Sequence, residues 1–379
     1  MVQQLRFVTL DVFTHDRYAG NPLAVVLLGD SAGENGQDKD MSVVGAATAG
    51  EPDTDTLQRV AREFNLSETV FVYPAHVNQE DGVWEWRVRI FLTTVEITFA
   101  ATTIITPPSH PHPFSRQSKN SRLCKPNPGH PIIGATCYAL QHFGPKGVLP
   151  QTRGRLLCPA GPIDVELLDS GSGAPTTAVA SIPHNIHLHT QHPLTPDAVL
   201  TRLQPAGLKP EDIVSADDDG GLAVVSPVRG MSFALIRLSS LEALARVRVG
   251  GGAAAPRDAV RLDAEWDVGF VGSYFYHVVG PREGGRDAAG PAPKGYEIRA
   301  RMMEGSMEDP ATGSAACALA GYLALREKRA LFLRITQGVE MGRRSEIGVA
   351  VRVREDGGAV ERVELSGGAV SVMEGMVSI

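Results

Sequence analysis

The sequence has no long hydrophobic run, few cysteines and no block of one charge sign. No apolar run approaches the roughly 18 to 20 residues that span a bilayer, so we expect no membrane partner. Residues 1–13 lack the basic region, apolar core and cleavage site of a signal peptide. A cytoplasmic location is therefore predicted. The net charge of −7 is spread along the chain, which argues against a phosphate-binding surface and a nucleic-acid partner.

The four cysteines are too widely spaced to form a recognisable framework. They are Cys124, Cys137, Cys158 and Cys317, and no two of them make a CxxC pair. This spacing argues against both a disulfide scaffold and a zinc site. We expect reduced thiols that pack as small hydrophobic side chains.

The elements that are present fall into two similar series. The 379 residues include 43% hydrophobic and 21% charged side chains, which is typical of a globular protein of two domains or one large domain. Each half has several short β-rich runs and one apolar, small-residue helix that begins at a glycine-containing turn. This order predicts an α+β fold of two similar domains, each a sheet wrapped around a central helix. The predicted domains are residues 1–150 and 151–379, with a linker near residues 144–155.

Glu68 lies between the end of a predicted helix and the start of an apolar strand, in the stretch NLSETVF. One interpretation is a solvated turn, because most glutamates are exposed. The other is a general base whose pKa is raised by apolar neighbours. Residues 65–71 alone leave both interpretations open.

Two helix starts offer backbone donors. Gly129 and His130 open the first small-residue helix, where free N–H groups and a partial positive charge favour a neutral histidine. In MEDPATGSAA, Asp309 can cap the second helix, while the backbone at Gly313 and Ser314 is suited to binding an anion. We expect the two turns to face each other across a cleft, where ligands commonly bind.

Six stretches, in order from residue 10 to about residue 350, carry a family resemblance. They are LDVFTHDRYAGNPLAVV, VAREFNLSETVFV, VRIF followed by EITFA, GHPIIGATCYAL, MEDPATGSAACALAGYL and QGVEMGRRSEI. With them the chain resembles the PhzF-like family of phenazine-biosynthesis proteins, which shares a fold with diaminopimelate epimerase and proline racemase. The resemblance implies two halves, each an antiparallel barrel-like sheet around a central helix. It also implies isomerase chemistry without a cofactor and, from the relatives, a possible homodimer.

The resemblance also assigns roles to residues. In the enzymes that name the family, a glutamate moves a proton between carbons of a dihydro-hydroxyanthranilate ring. By motif position that glutamate is Glu68, the supporting histidine is His130, and the acid and hydroxyl of the second half are Asp309 and Ser314. The predicted substrate-binding residues are Gly129, Gly313 and Asn21.

Cysteine positions separate this chain from its epimerase relatives. Epimerases and racemases of this fold use one cysteine in each half. Here Glu68 occupies one of these places and Ser314 lies in the opposite turn, while Cys317 is three residues too far along. Epimerisation by two thiols is therefore not expected.

The sequence departs from the family pattern in two places. Residues 101–128 hold six prolines and no acid, and without them the family pattern is continuous. We interpret them as a translated intron, with a lineage-specific loop as the alternative. His184, His187 and His189 have a spacing that suggests a metal. We expect no acidic partner close by and an exposed strand or loop, and we assign no metal.

The predicted protein is thus an enzyme, a cofactor-independent isomerase acting on a small carboxylate-bearing metabolite, in a biosynthetic route. The alternative is a non-catalytic binding or interaction protein of the same family. A closed apolar cleft converging on Glu68 favours the enzyme. A cleft filled by residues 101–128 favours the alternative.

Overall fold

The computed structural model describes residues 3–29, 51–97, 129–142, 151–159, 161–168, 176–191, 194–203, 205–214, 222–248, 260–283, 285–287, 290–304 and 307–379. The insert at residues 101–128 lies outside the described residues, as does the glycine-rich stretch 250–257, whose composition predicts an exposed loop. Residues 29–55 have no sustained periodicity and are predicted to be a surface excursion, and most of them also lie outside the described residues.

Strands dominate the described chain. They are β1 Gln4–Val12, β2 Asn21–Leu27, β3 Thr69–Val72, β4 His76–Val77, β5 Trp84–Phe91, β6 Arg153–Cys158, β7 Gly161–Leu168, β8 Thr177–Ser181, β9 His187–Leu188, β10 Leu222–Val228, β11 Met231–Arg237, β12 Phe270–Arg282, β13 Gly285–Asp287, β14 Gly290–Ala292, β15 Gly295–Glu304, β16 Met307–Asp309, β17 Leu331–Gln337, β18 Ser345–Val353, β19 Val360–Gly367 and β20 Ala369–Ser378.

The helices are fewer. They are α1 Thr54–Phe64, α2 Gly129–His142, α3 Pro196–Ala198, α4 Leu241–Arg246 and α5 Gly313–Glu327, with a π-helical turn at Val199–Leu203 and 3-10 turns at Pro210–Asp212 and Ala264–Trp266.

The strands repeat one pairing pattern in two series. In the first, β1–β2 is antiparallel, β2–β3 parallel, β3–β5 antiparallel, β5–β6 parallel, and β6–β7 and β7–β8 antiparallel. In the second, the same order of directions links β10, β11, β12, β15, β17, β18 and β19. The predicted α+β fold of two similar halves is confirmed.

The two halves exchange strands at their ends. After β8 the chain passes to β9, which pairs with β10 of the second series. After β19 it passes to β20, which pairs with β1 of the first series, and β8 pairs with β19 between them. The division into residues 1–150 and 151–379 stays a prediction. Strands before residue 150 pair with strands after it, as β1 does with β20 and β5 with β6.

A buried helix lies at the centre of each half. Every residue of α2 from Gly129 to Leu140 and of α5 from Gly313 to Ala324 is buried. Helices that are apolar all round pack inside a protein, and the many alanines and glycines allow the strands to approach closely. Helix α2 packs against β1, β2, β7 and β8, and α5 packs against β10, β17, β18 and β19.

Two stretches that the sequence predicts to be a loop and a linker contain strands. The composition of residues 280–295, rich in Gly, Asp and Arg, predicts an exposed loop. The stretch instead contains the end of β12, the small β13–β14 pair and the first residue of β15. Gly295 suggested a loop, but it marks a close approach, because a Cβ there would lie 1.7 Å from the carbonyl oxygen of Phe332 on β17. The predicted linker at 144–155 likewise overlaps β6, which pairs with β5 and β7.

Among the described residues, no helix has the length and apolar character needed to cross a membrane.

Candidate active site

Glu68 is held beside the core rather than in a solvated turn. Helix α1 ends at Asn65, whose left-handed backbone (φ 51°) reverses the chain just before β3. The Glu68 side chain is only 13% exposed. Of the two interpretations left open by the sequence, its burial fits the general base.

His130 stands opposite this carboxylate in the first turn of α2. Its Nε2 lies 3.4 Å from Oε2 of Glu68, and within the described chain this nitrogen makes no hydrogen bond. Burial lowers the pKa of His130 to about 4, against the opposing effect of the Asp309 charge. The imidazole is therefore neutral near pH 7, and its Nε2 is placed to exchange a hydrogen bond with a bound molecule.

Asp309 completes the group from the second half. It ends β16, and its Oδ1 accepts a hydrogen bond from Nδ2 of Asn21 at 2.9 Å. Its Oδ2 accepts one from the Thr312 hydroxyl. Burial raises the pKa of Asp309 to about 6; the Glu68 charge also raises it, while His130, Thr312 and Asn21 lower it. Asp309 therefore titrates close to neutrality.

Asn21 joins the two halves at this point. It lies at the start of β2, is 1% exposed, and donates from Nδ2 to the carbonyl oxygen of Ala311 as well as to Asp309. Its predicted role was substrate binding. In the structure its amide nitrogen holds the Asp309 turn, so its described contacts are those of a positioning residue.

The two central helices begin against each other. A Cβ built on Gly129 would lie 2.8 Å from the Cα of Gly313, and one built on Gly313 would lie 3.0 Å from the Cα of Gly129. Leu365 of β19 packs against both glycines. Ser314 follows Gly313 in the first turn of α5 and is buried. Two helix N-termini, each with free N–H groups and partial positive charge, thus meet at one place.

A buried glutamine that sequence reasoning missed holds the second turn. Gln337, at the end of β17, is fully buried. Its Nε2 donates to the carbonyl oxygen of Asp309 at 2.8 Å and to Oγ1 of Thr312 at 3.1 Å. Its Oε1 accepts from the Tyr274 hydroxyl at 3.2 Å and from the Thr312 N–H at 3.4 Å. The signal was a lone glutamine inside the matching stretch QGVEMGRRSEI, to which no role was given.

An arginine in the same stretch ties the halves together. Arg343 donates from Nη2 to Oδ1 of Asp11 at 2.6 Å and to the carbonyl oxygen of Ala19 at 2.7 Å, and from Nε to that of Gly20 at 2.8 Å. These contacts fix the turn that leads directly into Asn21. Arg343 is therefore a second positioning residue that the sequence did not single out.

The three histidines lie on a strand and in the chain beside it, as predicted, but none of them is exposed. His189 is buried and His187 lies on β9. The expectation that no acid stands close is wrong, because Nε2 of His187 lies 2.8 Å from Oδ2 of Asp263. The acid comes from a segment more than seventy positions away, so sequence spacing gave no sign of it.

A family model and a curated relative both match this chain. The family model described as "Phenazine biosynthesis-like protein" matches residues 10–106 and 286–375. An uncharacterized isomerase from Mesorhizobium japonicum is 30% identical over 365 residues, which is 93% of this chain and 92% of that protein.

Solved structures agree on the fold. A phenazine biosynthesis protein of the PhzF family from Bacillus anthracis aligns with a TM-score of 0.64 at 17% identity, over 100% of both chains. A predicted epimerase from Pseudomonas aeruginosa aligns with a TM-score of 0.56 at 23% identity, over 98% of this chain and 99% of that one. These structures confirm the predicted fold class, and the curated relative confirms the predicted enzyme class, an isomerase.

Proposed function

Because the chain belongs to the phenazine biosynthesis-like PhzC/PhzF family, we propose that it is a cofactor-independent isomerase that moves a proton within a small carboxylate-bearing metabolite of a biosynthetic route. The observation that carries the proposal is the pair of Glu68 and His130. Their side chains lie 3.4 Å apart at the N-terminus of a buried helix, beside the acid Asp309 of the other half.

Glu68 is the proposed base. Its carboxylate takes a proton from a substrate carbon, and the electron pair left behind delocalises into the adjacent unsaturated system. The same carboxyl group then returns the proton to a second carbon, so the reaction needs no oxidant or reductant. Acid–base catalysis of this kind contributes roughly 10² to 10⁴-fold, and positioning with charge stabilisation supplies the remainder.

The internal repeat supports a single base. Glu68 directly precedes β3, and the residue that directly precedes the matching strand β12 is Gly269. At this position of the repeat the second half therefore offers no side chain for proton transfer. This asymmetry favours removal and return of the proton on one face of the substrate over epimerisation between two bases.

The meeting helix starts would bind the substrate's carboxylate. The N–H groups near Gly129 and near Gly313 and Ser314 converge where α2 and α5 begin. Such N-termini favour anions through free donors and the helix dipole. His130, neutral at pH 7, would add a hydrogen bond without a positive charge that would lower the basicity of Glu68.

The decisive experiment detects proton exchange without assuming a substrate. The full chain is incubated with a pool of small carboxylic acids in deuterated water, and mass spectrometry identifies compounds that gain deuterium. Glu68→Gln is expected to reduce the exchange rate at least about 10²-fold. Glu63→Gln, at an exposed glutamate of α1, is the matched control and should retain the wild-type rate.

Two results would remove the proposal. Exchange that survives in Glu68→Gln would exclude this residue as the base. A compound that binds the wild-type chain but never exchanges would support the non-catalytic binding protein.

A further inference from the structure

A second group of polar side chains lies on β9, the strand that crosses from the first half into the second. His187 and His189 are two positions apart on an extended segment, so their side chains point to the same face. Strand β9 pairs with β10, with His187 opposite Ser226. Asp263 reaches this face from the segment that precedes the 3-10 turn Ala264–Trp266.

Three potential ligand atoms meet there. One nitrogen of each imidazole and one oxygen of Asp263 all lie within 4.8 Å of one another. Nε2 of His187 is 2.8 Å from Oδ2 of Asp263, and Nδ1 of His189 is 3.8 Å from Oδ1. Ligand atoms around a tetrahedral zinc ion with bonds of about 2.1 Å stand about 3.4 Å apart. The two observed separations run to different oxygens of Asp263 and lie below and above this value, so side-chain shifts would be needed to place one oxygen at this distance from both imidazoles.

The tautomer of His189 is set correctly for metal binding. Its Nδ1 accepts the backbone N–H of Asp263 at 3.0 Å, so this nitrogen carries the lone pair, which a metal ion would take from that N–H. The proton then lies on Nε2, which donates to the Ser226 hydroxyl at 2.8 Å, and that hydroxyl bonds Ser232 at 2.6 Å. Histidines that bind metals usually donate their other ring N–H to a fixed acceptor in this way.

The ring of His187 is fixed as well. It stacks on the indole of Trp266 with centroids 4.3 Å apart and planes within 5°. Its side chain keeps 30% exposure, whereas that of His189 has none. An ion can therefore enter past His187, while the rest of the cluster stays shielded from solvent.

We propose that His187, His189 and Asp263 bind one divalent transition-metal ion, for which zinc has the best-matched chemistry. Two imidazoles and a carboxylate are ligands that zinc accepts, and water can take the fourth position. Binding replaces the His187–Asp263 hydrogen bond and the N–H contact to Nδ1 of His189. The proton on Nε2 of His187 moves to Nδ1, so no oxidant or reductant is needed.

The metal would serve structure rather than the proposed isomerisation. Its ligands lie on β9 and on the segment before the 3-10 turn, whereas Glu68 precedes β3 and His130 begins α2. Coordination would fasten the crossing strand to the second half. This inference is independent of the proposed function.

The test uses the full chain without an affinity tag. The protein is stripped with a chelator and titrated with Zn²⁺ or Co²⁺, and bound metal is counted by mass spectrometry and by the visible bands of Co²⁺. We expect one equivalent per chain and a higher melting temperature with zinc. Asp263→Asn and His187→Gln should lose stoichiometric binding, and Ser226→Ala should weaken it by roughly 10 to 100-fold.

His184→Ala is the matched control, since its ring contacts the carbonyl oxygens of Ile182 and Val360 rather than the cluster. It should bind metal as the wild type does. Less than half an equivalent of metal in the wild type would overturn the proposal, as would equal binding by Asp263→Asn. Because His187 is partly exposed, His187→Gln should still fold. A native circular dichroism spectrum of this variant would show that lost metal binding comes from lost coordination and not from lost folding. Proton exchange measured with the chelator present tests the isomerase separately.

Discussion

Gly129 and Gly313 touch at the starts of α2 and α5, with the place of a Gly129 Cβ only 2.8 Å from the Cα of Gly313. Each glycine is needed because the other helix occupies the space of its side chain. The two central helices therefore meet by their backbones, so both N-termini lie at one place.

The first prediction concerns this contact. Gly129→Ala places a methyl group against the backbone of Gly313 and the Leu365 side chain, and overpacking of this kind typically costs about 1–3 kcal/mol. We expect the free energy of unfolding in urea to fall by that amount. Gly280→Ala, where a Cβ meets nothing within 4 Å, should change it little. Equal stability of both variants would show that the helix starts can separate.

The second prediction concerns Asp309. Its pKa in the folded chain is raised from 3.8 to about 6. Above pH 6 the ionised carboxylate therefore lowers the free energy of unfolding. Asp309→Asn removes this cost, which we estimate at about 1–3 kcal/mol, since one pKa unit is about 1.4 kcal/mol. Below pH 4 the carboxyl group is protonated in both states, so the gain should disappear between pH 6 and pH 4.

Urea unfolding at pH 8, 6 and 4 measures this effect. Asp16→Asn, at an exposed carboxylate, is the control and should stay within about 0.5 kcal/mol of the wild type. Asp309→Asn should also slow deuterium exchange, because it removes an acid that is proposed to take part in the reaction. The carboxylate that lowers the free energy of unfolding is thus the one that serves catalysis. A stability difference between Asp309→Asn and the wild type that does not change between pH 8 and pH 4 would contradict the raised pKa.

The third prediction concerns Arg343. Arg343→Met leaves the buried Asp11 carboxylate without its guanidinium. Loss of one partner of a buried pair typically costs about 3–5 kcal/mol, and 27% exposure of the Arg343 side chain reduces this to about 2 kcal/mol. Arg344→Met, whose side chain is 69% exposed, is the neighbouring control with an expected change under about 0.5 kcal/mol. Asp11→Asn combined with Arg343→Met should recover part of the loss.

The fourth prediction concerns the thiols. Cys137 and Cys317 are buried inside α2 and α5, and burial raises both pKa values to about 12. Thiolate is the reactive form, so both should resist iodoacetamide in the folded protein and react in urea. Peptide mass spectrometry measures each position. Rapid native alkylation of Cys317 that abolishes exchange would instead support chemistry based on a thiol.

Local pattern was enough to predict the elements that carry the site. Glu68 between helix and strand, and the glycine turns before α2 and α5, follow from turn chemistry and apolar periodicity. The ordered motifs added the family, and the family added the fold. These predictions succeeded because each depends on neighbours within about ten residues.

Predictions that depended on distant partners were beyond the sequence. The acid beside His187 is Asp263, and the donor to Asp309 is Asn21, almost three hundred positions away. β20 was not predicted because its side chains are largely half-buried or exposed, and its pairing with β1 joins the two ends of the chain. Such pairings are set by topology, which no local pattern encodes.

The exchange of β9 and β20 between the halves has a consequence for how the protein can be divided. Neither half can complete its sheet with its own strands, so the two halves are unsuitable for separate expression or for swapping between relatives. The crossing segments are residues 182–186 and the glycine pair Gly367 and Gly368. Both are held by backbone hydrogen bonds, from the N–H of Ile182 to Val363 and from the N–H of Phe13 to Gly368, so the halves are joined through fixed backbone rather than free linkers.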